Sequence, residues 1–433
     1  MNASTMPMAA DRPLDGSDLR TLALAALGGA LEFYDFVVFV FFAIPLSQLF
    51  FPHESVPWLA QVKVYGIFAA GYLARPLGGI VMAHYGDKLG RKRMFTLSVF
   101  LMALPTLGIG LLPVYAQVGM LAPLLLLLLR VVQGIAVGGE VPGAWVFVAE
   151  HVPPRRIGIA CASLTSGLTV GILLGSLLAA GINRSLSPQA LLDYGWRLPF
   201  LIGGVFGFLA VWLRRWLSET PVFEAMHARR ELVAGLPLAQ VAARHRPAVL
   251  LSVLVTWMLT AAIVVLILMT PALVQSTFHV APKRAFLGSN VASFTLAVGC
   301  LAYGALSDRI GPARTLLFGA AGLLAAGYAL YLNLAGGGAH FVALYALTGF
   351  AVGVTGVVPV LMVLAFPPAV RFSGLSASYN LAYALFGGLT PPLIGLLVGR
   401  FGALAPAHYV GATALMGMAV ALVLLRRQRA QAP

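Results

Sequence analysis

The chain has 433 residues, 60% of them hydrophobic and only 10% charged, with a formal net charge of +14. Soluble domains carry about a quarter charged residues, so at a mean hydropathy of +0.92 there is too little polar surface to cover a water-facing globule. An ordinary cytosolic enzyme, a nucleic-acid-binding protein and a disordered regulator are excluded. The two cysteines, Cys161 and Cys300, both lie in apolar stretches and form neither a disulfide framework nor a zinc site.

A helix needs about 20 apolar residues to cross a bilayer. Charges and turn residues divide the chain into about twelve such stretches, predicted as helices over 21–50, 57–84, 93–113, 118–149, 158–182, 197–216, 247–275, 284–307, 315–335, 340–366, 373–399 and 406–425. The apolar runs are continuous, which argues against a β-barrel, and Asp11, Asp15 and Asp18 argue against a cleavable signal at the start. With both termini in the cytoplasm, twenty of the Lys and Arg residues fall in inside segments, five in outside segments, and Lys63, Arg75 and Arg130 lie within helices. This positive-inside bias sets the orientation, predicts a multi-pass protein of the plasma (inner) membrane, and accounts for the basic charge without nucleic acid.

The chain repeats itself. Ala83-His-Tyr-Gly-Asp87-Lys88-Leu-Gly90-Arg91-Lys92-Arg93 returns as Gly304-Ala-Leu-Ser-Asp308-Arg309-Ile-Gly311-Pro312-Ala313-Arg314. A weaker pair matches Pro153-Pro154-Arg155-Arg156 with Pro367-Pro368-Ala-Val-Arg371. The expected organisation is an all-α polytopic protein: a cytoplasmic segment 1–20, a six-helix bundle 21–216, a polar cytoplasmic linker 217–246, a second six-helix bundle 247–426 and a tail 427–433. Two similar bundles around a pseudo-two-fold axis can rock about a site at the membrane midplane.

Asp87-Lys88-Leu-Gly90-Arg91-Lys92-Arg93 resembles the loop signature of the major facilitator superfamily, and Arg130-Val-Val-Gln133-Gly134 its fourth-helix signature. Glu32-Phe-Tyr34-Asp35-Phe36, Arg75-Pro76-Leu-Gly78-Gly79, Gly138-Gly139-Glu140, Glu219-Thr220-Pro221-Val-Phe223 and Phe386-Gly387-Gly388-Leu-Thr390-Pro391 resemble the metabolite:proton symporter family within it. The similarity covers nearly all of residues 20–426. Ala83 stands where the loop signature has Gly, and Pro312-Ala313 replaces two basic residues in the second copy, which is therefore expected to lock less tightly.

An ionisable side chain at membrane depth costs several kcal/mol unless paired or hydrated, and marks a candidate site. Glu32 and Asp35, three residues apart on the first helix, share a face. They are the expected proton carriers, Asp35 first, the plain alternative being one structural salt bridge and one residue reached by water. On the fourth helix Gln133 lies about 60° and Glu140 about 80° from Arg130 around the axis, forming one polar stripe about 15 Å long. Arg130 is expected to hold a deprotonated Asp35 or to take a substrate carboxylate, which the guanidinium fork fits well. Glu140 is open between a second proton site and a packing acid. Arg75 is a candidate for a further substrate charge, and Gln133 and Tyr34 are candidate substrate contacts. In the second half Trp257, Tyr379 and Tyr383 are candidate contacts or packing aromatics, and Asn380 is expected to hydrogen-bond substrate. Asp87, Arg91, Arg93 and Glu150, with Asp308 and Arg314 from the second copy, are expected to form a cytoplasmic gate.

No Ser/His/Asp or His-rich grouping suggests an enzyme. The reading is a monomeric secondary transporter in the lipid bilayer, importing a small anionic solute with protons, without a cofactor. Three intramembrane bases favour an organic acid. The resemblance also allows zwitterionic osmolytes such as proline or betaine, but osmolarity-sensing members carry a long C-terminal coiled coil, and the chain stops soon after Arg426-Arg427-Gln-Arg429 without heptads. A proton-independent exchanger or exporter is the remaining alternative.

Overall fold

The structure, a computed structural model, describes residues 12–52, 57–229 and 237–430. Among them there is no strand. Eleven helices are long and apolar enough to cross a membrane: α1 (Gly16–Phe41), α3 (Arg91–Leu111), α4 (Leu121–His151), α5 (Pro154–Ser185), α6 (Gly195–Arg214), α7 (Arg246–Phe278), α8 (Pro282–Ile310), α9 (Pro312–Ala335), α10 (Phe341–Ala365), α11 (Pro368–Phe401) and α12 (Ala405–Ala430). The remaining long helix, α2 (Pro57–Leu89), has 33 residues, about 50 Å of axis, and carries Lys63 and Arg75 within its length.

Some boundaries move. The first predicted helix is interrupted at Phe42 and resumes as a short helix over Ala43–Phe50. The second runs on to Leu89, so Asp87 and Lys88 are helical rather than in a loop. The expected linker contains two short helices, Pro221–Ala228 and Pro237–Arg244, while its Arg230 and Glu231 lie outside the described residues. The repeated loop has a backbone reason for its glycine in both copies. Gly90 (φ 112°) and Gly311 (φ 88°) join α2 to α3 and α8 to α9 in a region that L side chains rarely adopt.

Within the first half α2 lies against α4, α1 against α5 and α3 against α6; between the halves α5 meets α8, and α11 meets α2 and α4. Small residues make the closest approaches possible, as expected where lipid gives helices no hydrophobic reason to associate. A Cβ placed on Gly78 of α2 would collide with the carbonyl oxygen of Ile135, and one on Gly138 of α4 with that of Arg75. Gly78→Val is expected to cost about 3 kcal/mol or more, read as a lower unfolding temperature in detergent. Gly181→Ala, with open space around it, leaves that temperature unchanged.

Three helices depart from α-geometry near their middles. α7 is π-helical over Ala262–Met269, α11 over Tyr383–Gly387, and α10 tightens to a 3₁₀ turn over Gly353–Val357. All three lie in the second half, and π-segments recur at functional sites.

Candidate functional site

The charge-bearing residues separate into three groups at different depths. The central one is built on Arg75, about halfway along α2. Its side chain is 1% exposed, and its Nε and Nη2 have no hydrogen-bond partner among the described residues. The guanidinium lies 4.3 Å from the ring centroid of Tyr383, 5.5 Å from that of Tyr379 and 5.6 Å from that of Tyr72. Tyr72 comes from α2 and the other two from α11, so both bundles contribute. The rings of Tyr72 and Tyr383 are nearly parallel (3°) with centroids 5.6 Å apart, and Trp145 of α4 stands edge-on to Tyr379 at 5.1 Å. A buried cation ringed by aromatic faces, with two N–H directions unused, has the chemistry to accept a carboxylate.

A second group lies inside the first bundle. Arg130 Nη1 donates to Gln133 Oε1 (2.8 Å), and Gln133 Nε2 donates to Thr106 Oγ1 (2.6 Å). Arg130 also covers the Phe39 ring at 4.3 Å. The Asp35 carboxylate is 1% exposed, and neither oxygen has a hydrogen-bond partner among the described residues. It faces α6 on the Thr106 side: a Cβ on Gly203 would collide with Asp35 Oδ1 and lie 3.0 Å from Thr106 Cγ2. The expected direct pairing of Asp35 with Arg130 is therefore not what the fold provides. The chain from Arg130 through Gln133 ends at Thr106, whose hydroxyl donates to the carbonyl oxygen of Met102 (2.9 Å). The side chain of Glu32 lies outside the described residues.

Glu140, whose two readings were open, pairs with Arg214 at 3.5 Å, both buried. Arg214 also donates to the carbonyl oxygen of Phe95. Tyr34, expected as a solute contact, packs within the first bundle instead: its hydroxyl donates to the carbonyl oxygen of Pro199 at 2.9 Å and its ring packs on Phe206, because its position on α1 faces α6. Trp257 stacks on Phe386 (4.2 Å, 5°) and donates to the Tyr409 hydroxyl, all within the second bundle. Asn380 Nδ2 is already spent on the carbonyl oxygens of Gly138 (2.6 Å) and Ser376 (2.9 Å), clasping α11 to α4, and only its Oδ1 lacks a partner. Lys63 is exposed over the Phe51 ring.

The third group joins the halves at the end bearing the repeated loops. Glu150 Oε2 pairs with Arg91 Nε (2.9 Å) and accepts from Thr220 Oγ1 (2.9 Å), while its Oε1 pairs with Arg371 Nη1 (3.0 Å). Arg91 also donates to the carbonyl oxygen of Pro368 (2.8 Å). Asp87 Oδ2 accepts from the backbone N–H (2.9 Å) and hydroxyl (2.7 Å) of Ser373, near the start of α11. Its counterpart Asp308 accepts from the N–H groups of Gly158 (2.7 Å) and Ile159 (3.0 Å), near the start of α5. Each copy of the repeated acid thus reaches across to a helix N-terminus of the other bundle, where the dipole favours a negative charge. Arg93 and Arg314, expected here, are exposed instead, since they lie on the outer faces of α3 and α9. Arg371, Ser373 and Glu219, which accepts from the N–H groups of Arg91 and Lys92 (3.2 Å each), take part without having been predicted. Arg371 had a signal in the Pro-Pro-x-x-Arg repeat and Glu219 in the Glu-Thr-Pro motif, whereas Ser373 had none.

The model of the family described as Major Facilitator Superfamily matches residues 25–334. A glycine betaine/proline/ectoine/pipecolic acid transporter, OusA of Dickeya dadantii (strain 3937), is 31% identical over 425 residues, covering 95% of this chain and 84% of the relative. The proline/betaine transporter of Escherichia coli (strain K12) is 31% identical over 420 residues, covering 93% of this chain and 83% of the relative. Among solved structures, the proton:xylose symporter XylE bound to 6-bromo-6-deoxy-D-glucose superposes with a TM-score of 0.77 at 19% identity, covering 94% of this chain and 95% of the other, which is a likeness of fold. These relatives overturn the organic-acid expectation and the argument from the chain's end that supported it. Counting intramembrane bases does not separate the two solute classes, since a guanidinium takes the carboxylate of a zwitterion as readily as that of an acid.

Proposed function

Because the chain belongs to the major facilitator superfamily, and is a membrane transporter rather than an enzyme, we propose that its solute is a zwitterionic osmolyte of the proline or betaine kind, imported with protons. The observation that carries this reading is Arg75: one buried guanidinium with two free N–H directions, between the bundles, surrounded by tyrosine faces. One guanidinium answers one carboxylate, and the rings answer a neighbouring positive charge. The names of the relatives support the same solute class.

In this reading the protein sits in the plasma membrane with both termini cytoplasmic, and the halves 21–216 and 247–426 rock about Arg75. Asp35 carries the proton, while the Asp87–Arg91–Glu150–Arg371 cluster holds the cytoplasmic side shut. A zwitterion carried with one proton moves one net positive charge, so a membrane potential contributes about 2.3 kcal/mol per 100 mV. Uptake into proteoliposomes is therefore expected to draw inward current and to rise with an inside-negative potential. A monocarboxylate with one proton would be electroneutral, and silent currents during uptake would reject the import of a zwitterion with a proton. Asp35→Asn is expected to lose accumulation driven by a pH gradient while keeping solute exchange in counterflow. Wild-type accumulation by that variant would remove Asp35 from the coupling.

A further inference from the structure

The aromatic residues around Arg75 have more geometry than a carboxylate anchor requires. Three tyrosine rings enclose the guanidinium, two of them nearly parallel, and Trp145 braces Tyr379 from behind while donating from Nε1 to Thr165 Oγ1 (3.1 Å). Tyr379 and Tyr383, four residues apart on one face of α11, meet at 5.1 Å, and the second opens the π-helical segment. All three tyrosines are buried. The cation on the Tyr383 face is the protein's own arginine, at 4.3 Å.

We infer that Arg75 holds the place of the solute's onium group, and that the box of Tyr72, Tyr379 and Tyr383 selects a quaternary ammonium over a protonated secondary amine. This rests on the reading of Arg75 as the carboxylate anchor. An arriving carboxylate takes the unused Nε and Nη2 directions and draws the guanidinium off Tyr383. The onium group of the same molecule, one carbon from the carboxylate, then takes the vacated ring faces. A trimethylammonium group has no N–H to satisfy and spreads its charge over methyl groups that fit against several faces at once. A secondary ammonium brings two N–H donors that ring faces satisfy poorly, at a desolvation cost. The exchange leaves the charge inside the box at one positive unit before and after binding, with the carboxylate balancing the displaced arginine.

The test measures dissociation constants for glycine betaine, L-proline and 3,3-dimethylbutyrate with the purified full chain in nanodiscs. The last compound has the shape and carboxylate of betaine with a neutral carbon in place of nitrogen. The wild type is expected to bind betaine at least tenfold more tightly than either of the others. Tyr383→Leu and, separately, Tyr379→Leu should bring betaine down to the level of dimethylbutyrate, while Tyr383→Phe, which keeps the ring, retains the preference. Equal binding of betaine and dimethylbutyrate by the wild type overturns the inference, as does a betaine preference that survives both leucine substitutions. If betaine and proline bind equally, the box does not select, although the zwitterion reading stands. If neither binds and neither is accumulated, that reading falls and the inference falls with it.

Discussion

Arg75→Ala is expected to weaken binding of a carboxylate-bearing zwitterion by about 100-fold or more and to abolish uptake. A charge-assisted hydrogen bond contributes about 1.5–3 kcal/mol, and a fork that engages a carboxylate through two N–H directions stands to lose both. At about 1.4 kcal/mol per decade, one such bond accounts for one to two of those decades. Arg75→Lys keeps the charge but not the fork, and a compact ammonium is a poorer match for a carboxylate than a planar guanidinium. It should retain residual binding and fall between wild type and alanine. Isothermal titration, with thermal unfolding as a check on folding, separates the outcomes. A well-folded Arg75→Ala protein that binds with wild-type affinity would move the carboxylate site elsewhere.

Arg75 was legible in the sequence because a charge within an apolar helix stands out, and its neighbours Tyr379 and Tyr383 because their spacing puts them on one face. What could not be read was the company those residues keep. Tyr34 lies one residue from Asp35, yet it reaches Pro199, because a helical wheel says which side chains share a face and nothing about which helix that face meets. Arg214 lies near the end of the predicted helix 197–216, where nothing in the sequence marks a partner, and the fold buries it against Glu140. Thr106, Ser373 and Ser376 look like any small polar residue of a membrane helix. Their roles appear only once Gln133, Asp87 and the carbonyl oxygen of Gly79 are brought to them from other helices. The repeated Asp87 and Asp308 were visible through internal similarity, and the exchange of caps between bundles follows from the symmetry that the repeat implies. The solute was misread for a related reason. The bases were counted by type, and an arginine that takes a free acid takes the carboxylate of a zwitterion as well.

Glu150→Gln is expected to shift the resting conformation toward an open cytoplasmic side. In the closed arrangement Glu150 is the shared counter-charge for Arg91 and Arg371, which come from different halves. Glutamine preserves size and one acceptor but removes the charge, leaving two guanidinium groups facing each other at the interface, with Asp87 3.6 Å from Arg91 as their remaining acid. Removing one partner of a buried ion pair costs about 3–5 kcal/mol. Opening relieves that cost, since both arginines then reach water. Moving a two-state balance from 1:99 to 99:1 takes about 5.5 kcal/mol, so the loss is large enough to change which state dominates. Spin labels at Arg93 and Arg314, both exposed and one in each half, report the change by pulsed dipolar spectroscopy. Their distance distribution should move to longer values in Glu150→Gln without solute. Arg371→Gln, which removes one of the two charges competing for Glu150, should move it less. A distribution unchanged by Glu150→Gln would mean that the closed side is held by packing and by the Asp87 and Asp308 helix caps, with the ion cluster contributing little.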